Sequence, residues 1–451
     1  MTTAGGVTHR GSTDRTTPSS TDRRRRTGRA ADPASAAGRA EWKATPATHP
    51  GRRPVEEPAM TDRPPAVLGR ATALAALAAL TAVLLTGCDR SEPAPPAAIA
   101  PTSAPAPTPT ASATAQVPNS PTLLVTDFGA DTVTFVDPAR TGRAADLGSV
   151  HVGTAPYGLA VAPDGTAWVA TAEGTAAVDT RTRTRTALVP HTTRTGPVTT
   201  GEYRGGGMGI ALSPDGSRAY VGVNVPGGNG TLEVVDTATR AVVRVVPVGR
   251  RPFDVDVSAD GRHVFVTDHD SFDVTTVDTT TWATRRIEVA PYGTEGGLGS
   301  WLKPHYTAVR PSDGALLLPF EGERLAVVDP STGRVTVEPM TADTHQHGVT
   351  VGPDGTLYVV GTGPIDPAAD AGPSLTVRAP DGTERLVPLD GPHETVTLSP
   401  DGRTAYVSGG FTREGAWDGL TLVDTATGRT TRLPVGHHPL AVAVLPDRPA
   451  G

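Results

Sequence analysis

Short apolar stretches, each followed by a tight polar turn, recur along the chain from residue 158 to its end. The turn is Pro-Asp-Gly or a close variant, and the apolar residues before it cover the length of a short β-strand. The phrase occurs seven times, as GLAVAPDG (158–165), GIALSPDG (209–216), DVDVSADG (254–261), YTAVRPSDG (306–314), GVTVGPDG (348–355), TVTLSPDG (395–402) and AVAVLPD (441–447). Such repetition predicts an architecture of stacked β units.

A second phrase is an apolar strand that ends in Val-Asp before a Thr- or Gly-rich turn. Its copies end at Asp137, Asp179, Asp236, Asp278, Asp329 and Asp424, with a weaker copy at Asp381. With the strands between the two phrases, each unit holds four short strands in about 40–50 residues, the pattern of a β-propeller blade.

The two phrases are offset at the chain ends. The chain enters at strands two to four of one blade (122–150) and ends with a first strand (440–446). Pairing these segments would close the ring and remove its exposed edges. We therefore predict an all-β fold, a seven-bladed β-propeller over 121–447 closed by a C-terminal strand that joins the first blade, with a tail at 448–451.

An apolar run at 71–87 precedes Cys88, the only cysteine of the chain. The run is shorter than the about 20 residues of a membrane-spanning helix, and Arg63 and Arg70 lie before it, as in an export signal. Leu85-Thr86-Gly87-Cys88 resembles the lipobox of bacterial lipoproteins. The resemblance implies cleavage before Cys88, lipidation of its thiol and attachment to the outer face of the cell membrane.

The N-terminal segments divide by composition. Residues 1–59 hold few large apolar side chains, so we expect them to be disordered, and we expect translation to start at Met60. Residues 60–87 are then the signal peptide. Residues 88–120, rich in Pro, Ala and Thr, form a tether between lipid and propeller.

Charge and cysteine content narrow the function classes. Removal of residues 1–87 takes away 13 basic and 7 acidic residues, which leaves 27 basic and 40 acidic residues and a net charge of −13. This charge repels phosphate backbones, so no nucleic acid partner is expected. The chain offers no disulfide, and Lys303 is the only lysine after processing, which disfavours amine nucleophiles. We expect a monomer.

The strand phrases VFVTD (264–268) and AYVSG (405–409) and the Val-Asp turns resemble YVTN-type β-propeller repeats. Such repeats also occur in secreted lactonase-like proteins. The resemblance covers residues 122–447 and implies the propeller fold. The resemblance says little about function, because β-propellers carry many different activities.

Loop lengths distinguish the two faces of the expected ring. The first–second strand turns and the third–fourth strand turns are short, whereas every sizeable insertion falls in the other two connections. The insertions are 190–206, 225–230, 291–303, 362–373 and 410–418. Long loops on a rigid scaffold commonly carry binding residues, so we expect the functional face here.

Each blade has one equivalent position at the start of its innermost strand, six residues before the turn proline or the residue that replaces it. This position holds Tyr157, Met208, Phe253, His305, His347, Glu394 and Leu440. Flanking positions add His345, His393, His437 and His438. Three neighbouring blades would thus direct His305, His347 and Glu394 to the channel mouth. Two imidazoles and a carboxylate predict a zinc or copper site, or else a wet channel lined by hydrogen-bonded histidines.

A second resemblance points to metal. The segments 303–305, 345–348 and 392–394 resemble the histidine-bearing blade starts of periplasmic zinc metallochaperone propellers. The resemblance implies that the candidate ligands are His305, His345, His347, His393 and Glu394. It also implies transfer of zinc to the solute-binding protein of a metal transporter. This chain departs from those propellers in its stronger YVTN character and its lack of a long His-rich tract.

Two alternatives remain beside a binding protein. A lactonase-like hydrolase or lyase could use His347, Glu394 and Arg310 for acid–base chemistry, although no nucleophile motif such as GxSxG is present. An interaction scaffold could instead present Tyr203, Trp301 and Trp417 to a protein or glycan. We favour a binding protein over an enzyme.

Overall fold

The computed structural model describes residues 121–201, 203–289, 303–320, 324–341, 346–362, 372–412 and 415–446. All of them belong to one compact unit, Pro107–Gly451. The expected leader and tether segments (1–59, 60–87 and 88–120) and the tail at 448–451 lie outside the described residues. Across the described ranges, no helix is both long and apolar enough to cross a membrane.

Seven antiparallel sheets of four strands each form the blades of the ring. With strands numbered in chain order, the innermost are β4 (Leu159–Val161), β8 (Gly206–Leu212), β12 (Pro252–Val257), β16 (Ala308–Val309), β20 (Gln346–Val351), β24 (Val396–Leu398) and β30 (Pro439–Val444). The second strands are β1 (Leu123–Asp127), β5 (Thr166–Ala170), β9 (Arg218–Asn224), β13 (His263–Asp268), β17 (Leu316–Phe320), β21 (Leu357–Gly361) and β25 (Thr404–Ser408).

The third strands are β2 (Thr132–Val136), β6 (Gly174–Asp179), β10 (Thr231–Asp236), β14 (Asp273–Asp278), β18 (Arg324–Asp329), β22 (Ser374–Arg378) and β28 (Leu420–Asp424). The outermost are β3 (Asp146–His151), β7 (Thr184–Pro190), β11 (Ala241–Pro247), β15 (Thr284–Glu288), β19 (Arg334–Pro339), β23 (Glu384–Pro388) and β29 (Thr430–Leu433). A small hairpin, β26 (Phe411–Thr412) and β27 (Gly415–Ala416), and two 3-10 turns, Gly142–Ala145 and His269–Ser271, complete the described elements.

Strand β30 closes the ring by pairing antiparallel with β1. Leu123 lies opposite Val444 and Val125 opposite Val442, so the first sheet has the order β3-β2-β1-β30. Every innermost strand thereby has a hydrogen-bonded neighbour in its own blade. The predicted all-β, seven-bladed propeller with a C-terminal closing strand is confirmed. We number the blades in chain order from the one that contains β1.

The hydrophobic core consists of layers between neighbouring blades. Between the second and third blades, Trp168 packs with Val221 and Val223. Between the fourth and fifth, Phe265 and Phe272 pack with Leu316. Second strands are buried almost throughout because both of their faces meet a neighbouring sheet, whereas the outermost strands are largely exposed.

The Pro-Asp-Gly turns join first to second strands at one end of the blades. In the seventh blade, Gly402 has φ +68°, a conformation that glycine adopts without strain. Asp401 Oδ1 accepts the Arg403 N–H at 3.1 Å and the Ser399 hydroxyl at 2.6 Å. These aspartates are therefore turn-forming residues, and the longer connections lie at the other end of the blades.

The innermost strands surround a central channel with a cavity of about 420 Å³, lined by residues of all blades. Asp254, Asp256 and Tyr306 are among the polar lining residues. The mouth of this channel at the end with the longer connections is where the sequence predicts the functional site.

Candidate functional site at the channel mouth

His305 and His269 face each other at this mouth. His305 precedes β16 and is held at the start of the fifth blade by an isolated bridge between Pro304 and Phe320. His269 begins the 3-10 turn that follows β13 of the fourth blade. Their Nε2 atoms lie 3.2 Å apart. Both side chains are almost fully buried, so this contact is shielded from bulk water.

Asp270 fixes the orientation of His269. Its Oδ1 lies 2.8 Å from His269 Nδ1, while Arg251 Nη2 lies 2.9 Å from Oδ2 and Lys303 Nζ lies 3.5 Å from Oδ1. Burial would raise the pKa of Asp270, but His269, Arg251 and Lys303 outweigh it and bring that pKa to about 2. The carboxylate is therefore ionised near neutral pH.

Burial lowers the pKa of His269 to about 4, although the hydrogen bond to Asp270 opposes the shift. The ring is neutral at pH 7, and its single N–H donates to the Asp270 carboxylate from Nδ1. The Nε2 lone pair is then directed at His305. Orientation of one ring nitrogen by a carboxylate is the usual arrangement of a histidine that ligates metal with the other.

His347, from β20 of the sixth blade, continues the group. Its ring stacks on that of His305 with centroids 4.1 Å apart and an interplanar angle of 21°. Its Nδ1 lies 3.2 Å from Glu394 Oε2. Glu394 precedes β24 of the seventh blade, and its carbonyl accepts the Gly348 N–H at 2.9 Å, which fixes the two blade starts together.

Tyr306 connects the histidine group at the mouth (His269, His305 and His347) to the channel. Its hydroxyl donates to Glu394 Oε1 at 2.9 Å. Burial, followed by the nearby Glu394 charge, raises the pKa of Tyr306 well above its usual value, so the phenol stays protonated. Because Tyr306 also lines the channel, it lies between the polar group at the mouth and the channel beneath.

The remaining residues of the predicted position form an apolar half of the mouth. Tyr157, Met208, Phe253 and Leu440 are buried in one cluster with Phe128 and Ala155. The Phe253 ring stacks on His269 at 5.4 Å and meets His305 edge-on at 5.3 Å. The structure thus brings the seven predicted residues into one ring, apolar in the first four blades and polar in the last three.

The structure does not bring the predicted ligand His393 into the group of His269, His305 and His347. His393 Nδ1 donates to the Gly391 carbonyl at 2.6 Å, and its Nε2 accepts the Thr421 hydroxyl at 2.8 Å. Both ring nitrogens are therefore used to hold the loop to the third strand of the blade. Burial lowers the pKa of His393 to about 4, which keeps the ring neutral.

The structure does not bring the predicted catalytic residue Arg310 into this group either. Arg310 follows β16, whereas His305 precedes it, so the two residues are at opposite ends of an innermost strand. Its guanidinium binds the Asp313 carboxylate through two contacts of 2.9 and 2.8 Å within the turn. Arg310 is a turn residue on the far face.

Other predicted residues fall outside this group. His437 and His438, in the connection between β29 and β30, lie with Asp418. Arg204, in the first long insertion, donates to the Ala155 and Gly207 carbonyls and is buried. His345 and Trp301 lie outside the described residues.

Of the aromatic residues on the insertion face, Trp417 Nε1 donates to the Pro392 carbonyl at 2.7 Å. Tyr203 is half-exposed and lies beneath the Arg251 guanidinium, which is 3.9 Å from the ring centroid.

Four residues of the site were not predicted from the sequence: His269, Asp270, Arg251 and Tyr306. The adjacent His269-Asp270 pair, directly after the VFVTD strand, was the available indication.

The geometry suits a pair of metal-ligating nitrogens. Two ligands of a tetrahedral zinc ion with bonds of about 2.0–2.1 Å lie about 3.3 Å apart. The 3.2 Å separation of His269 Nε2 and His305 Nε2 matches that spacing. His347 and Glu394 lie beside this pair, but the one group of three in the described residues whose ligand atoms all fall within 4.8 Å is Asp418, His437 and His438. A third ligand at the mouth would require a side-chain adjustment.

No family model matches the chain, and no curated protein matches it. A structure of a functionally unknown protein from Desulfotomaculum acetoxidans DSM 771 superposes with a TM-score of 0.53 at 12% identity, covering 73% of this chain and 100% of that one. Virginiamycin B lyase from Staphylococcus aureus gives 0.48 at 15%, covering 62% and 84%. The dihydro-heme d1 dehydrogenase NirN gives 0.47 at 15%, covering 72% and 76%. At 12% identity, the likeness to the Desulfotomaculum acetoxidans structure shows a shared fold alone. The YVTN-type family remains a prediction.

Proposed function

We propose that this propeller is an extracytoplasmic binding protein that holds a zinc or copper ion at its channel mouth. His269 and His305 supply the first two ligands in this proposal. His347 or Glu394 supplies a third, and water completes the coordination. Compared with the set expected from sequence, this set gains His269 and lacks His393 and also His345, which lies outside the described residues.

The single observation that carries the proposal is the Nε2–Nε2 separation of 3.2 Å between His269 and His305. Imidazole nitrogens suit zinc and copper. A metal ligand must be unprotonated, and the low pKa of His269 means that no proton needs to leave it at neutral pH. The same separation also fits an N–H···N hydrogen bond, which the pair would form without metal.

The charges around the pair define the role of Asp270. Arg251 and Lys303 both contact its carboxylate, so its charge is already compensated. Asp270 therefore acts by orienting His269 rather than by binding the ion. Arg251 and Lys303 carry two positive charges against the single negative charge of Asp270, and this excess favours hydroxide or another small anion in place of the bound water.

A second candidate function rests on the contacts of Glu394. Its two oxygens meet the Tyr306 hydroxyl at 2.9 Å and His347 Nδ1 at 3.2 Å. A buried tyrosine, glutamate and histidine in contact can relay a proton, which favours the lactonase-like hydrolase or lyase. In this alternative, Arg251 or Lys303 is the cationic residue of the site instead of Arg310, and it binds an anionic group of the substrate.

The cellular setting is part of the proposal. We infer that the chain is attached to the outer face of the cell membrane through lipidated Cys88, as the lipobox resemblance implies. A solute-binding protein of a metal transporter is the proposed partner. Mass spectrometry of the protein extracted from membranes tests the first point, since it should recover a lipidated peptide that begins at Cys88.

Metal content and affinity test the function directly. After dialysis and incubation with Zn²⁺ or Cu²⁺, the purified full chain should bind the ion in calorimetric titration. The His305→Ala variant should lose the ion held at the mouth. The matched control is His151→Ala, because His151 is exposed at the end of β3 and belongs to no group of metal-ligating side chains among the described residues. Equal binding by wild type and His305→Ala would refute the proposal.

The enzymatic alternative has its own readout. Turnover of lactones that persists in the presence of a chelator and disappears in His347→Ala would favour it over metal binding. Absence of turnover together with zinc binding would favour the first proposal.

A further inference from the structure

A second group of side chains that could ligate a metal lies in the connection that leads into the closing strand, and it shares no residue with the histidine group at the channel mouth. Asp418 follows the β26–β27 hairpin on the long connection between β25 and β28. His437 and His438 form the turn between β29 and β30. The group thus joins a loop of the seventh blade to the segment that leads into the closing strand.

The ligand atoms of the three side chains lie close to one another. His437 Nδ1 lies 3.1 Å from both carboxylate oxygens of Asp418. The ligand atoms of Asp418, His437 and His438 all lie within 4.8 Å of one another. The two imidazole rings are stacked with centroids 4.4 Å apart. Two imidazoles and a carboxylate are a ligand set that suits zinc.

The backbone holds this turn in place. The N–H groups of Phe128 and Gly129 donate to the carbonyls of His438 and His437 at 3.1 Å each. The His437 N–H donates to Asp127 Oδ1 at 3.2 Å, and the His438 N–H donates to Asp418 Oδ1 at 2.9 Å. Both histidines are thus fixed by the end of β1, and Asp418 is fixed by the turn itself.

Gly129 leaves room for the paired rings. A Cβ at this position would lie 2.5 Å from His437 Cδ2 and 3.1 Å from His438 Nδ1. Any larger residue would therefore displace both imidazoles. The absence of a side chain at Gly129 is what permits the two rings to lie side by side against β1.

Solvent can reach this group, unlike the one at the mouth. The side chains of His437 and Asp418 are about half-exposed, at 51% and 50%. An ion bound here would keep open positions for water or for a ligand from another molecule.

We propose that Asp418, His437 and His438 form a second, surface-accessible site for a divalent transition-metal ion, with zinc as the reference ion. The ion would bridge the seventh-blade loop and the entry to the closing strand. Since an ion that binds only the folded state stabilises it, metal at this site would strengthen the closure of the ring. This site uses no residue of the channel mouth, so it stands whether or not that site binds metal.

Zinc titration of the full chain with His305→Ala tests the site without the contribution of the mouth. Calorimetry should still detect one bound Zn²⁺, with a rise in the melting temperature on addition of Zn²⁺. Adding His437→Ala or Asp418→Asn should abolish both effects, whereas adding His151→Ala should leave both unchanged. Zinc binding that survives the first two substitutions, or its absence in the His305→Ala chain, would overturn the proposal.

A single substitution in the otherwise wild-type chain covers the case in which His305→Ala does not fold. Asp418→Asn should reduce the number of bound Zn²⁺ ions by one relative to wild type. Gly129→Ala should have the same effect through displacement of the rings. An unchanged number of bound ions in both variants would also overturn the proposal.

Discussion

His269 and His305 approach each other across the boundary between the fourth and fifth blades, with Nε2 atoms 3.2 Å apart. Neither residue alone indicates a binding site, because each comes from a different connection in a different blade. Closure of the ring by β30 fixes the blades relative to one another and thereby fixes this distance. The site is a property of the ring and of no single blade.

Removal of the Asp270 carboxylate should weaken metal binding at the mouth without removing a ligand. In Asp270→Asn, His269 loses its charged partner at Nδ1, and loss of such a partner typically costs about 10–100-fold in metal affinity. Competition with a zinc-binding dye measures the change. Asp260→Asn, in an exposed turn at the other end of the blades, is the control and should bind zinc as wild type does. An affinity of Asp270→Asn equal to wild type would contradict the orienting role.

His393 should behave as a structural histidine that resists protonation. Its pKa falls from 6.5 to about 4 in the folded chain, so as the pH drops below 6.5 the unfolded chain binds a proton that the folded chain does not. Wild type should therefore lose stability relative to His393→Gln by about 1.4 kcal/mol per pH unit between about pH 6.5 and pH 4. Urea unfolding of both proteins at several pH values measures this difference. A difference that does not vary with pH would contradict the assignment.

Gly348 should tolerate no side chain, because a Cβ there would lie 2.6 Å from the Glu394 carbonyl oxygen. Gly348→Ala should cost about 1–3 kcal/mol of unfolding free energy and should also weaken metal binding, since it separates the starts of β20 and β24. The matched control is Gly372→Ala, where a Cβ would meet nothing within 4 Å. Similar melting temperatures for the two variants would show that the inner strands are not closely packed.

Arg310→Ala should leave zinc binding and any lactone turnover unchanged. The side chain pairs with Asp313 in a surface turn, and loss of an exposed ion pair costs about 1 kcal/mol or less. Calorimetric titration and chemical unfolding of the variant measure the two quantities. A marked loss of either activity would restore Arg310 to the site.

Turn chemistry made the fold predictable. Six of the seven phrases end in a glycine because their turns require positive φ, as at Gly402, and this requirement is visible in the sequence. The offset of the two phrases likewise located β30 as the partner of β1.

The site was predictable only in part. His305, His347 and Glu394 share one repeated position, and the ring aligns them. His393 precedes Glu394, and neighbouring residues in extended chain face opposite sides, so its ring turns to Thr421. His269 comes from a turn outside the repeated position, and no local pattern reveals that this turn reaches the mouth.

Anomalous diffraction from zinc-treated crystals of the full chain tests directly whether His269 and His305 bind one ion between them. We predict an anomalous peak at the zinc edge between His269 and His305, at about 2.0–2.1 Å from both Nε2 atoms. A map with no peak at this position, with the two nitrogens still in contact, would contradict this prediction.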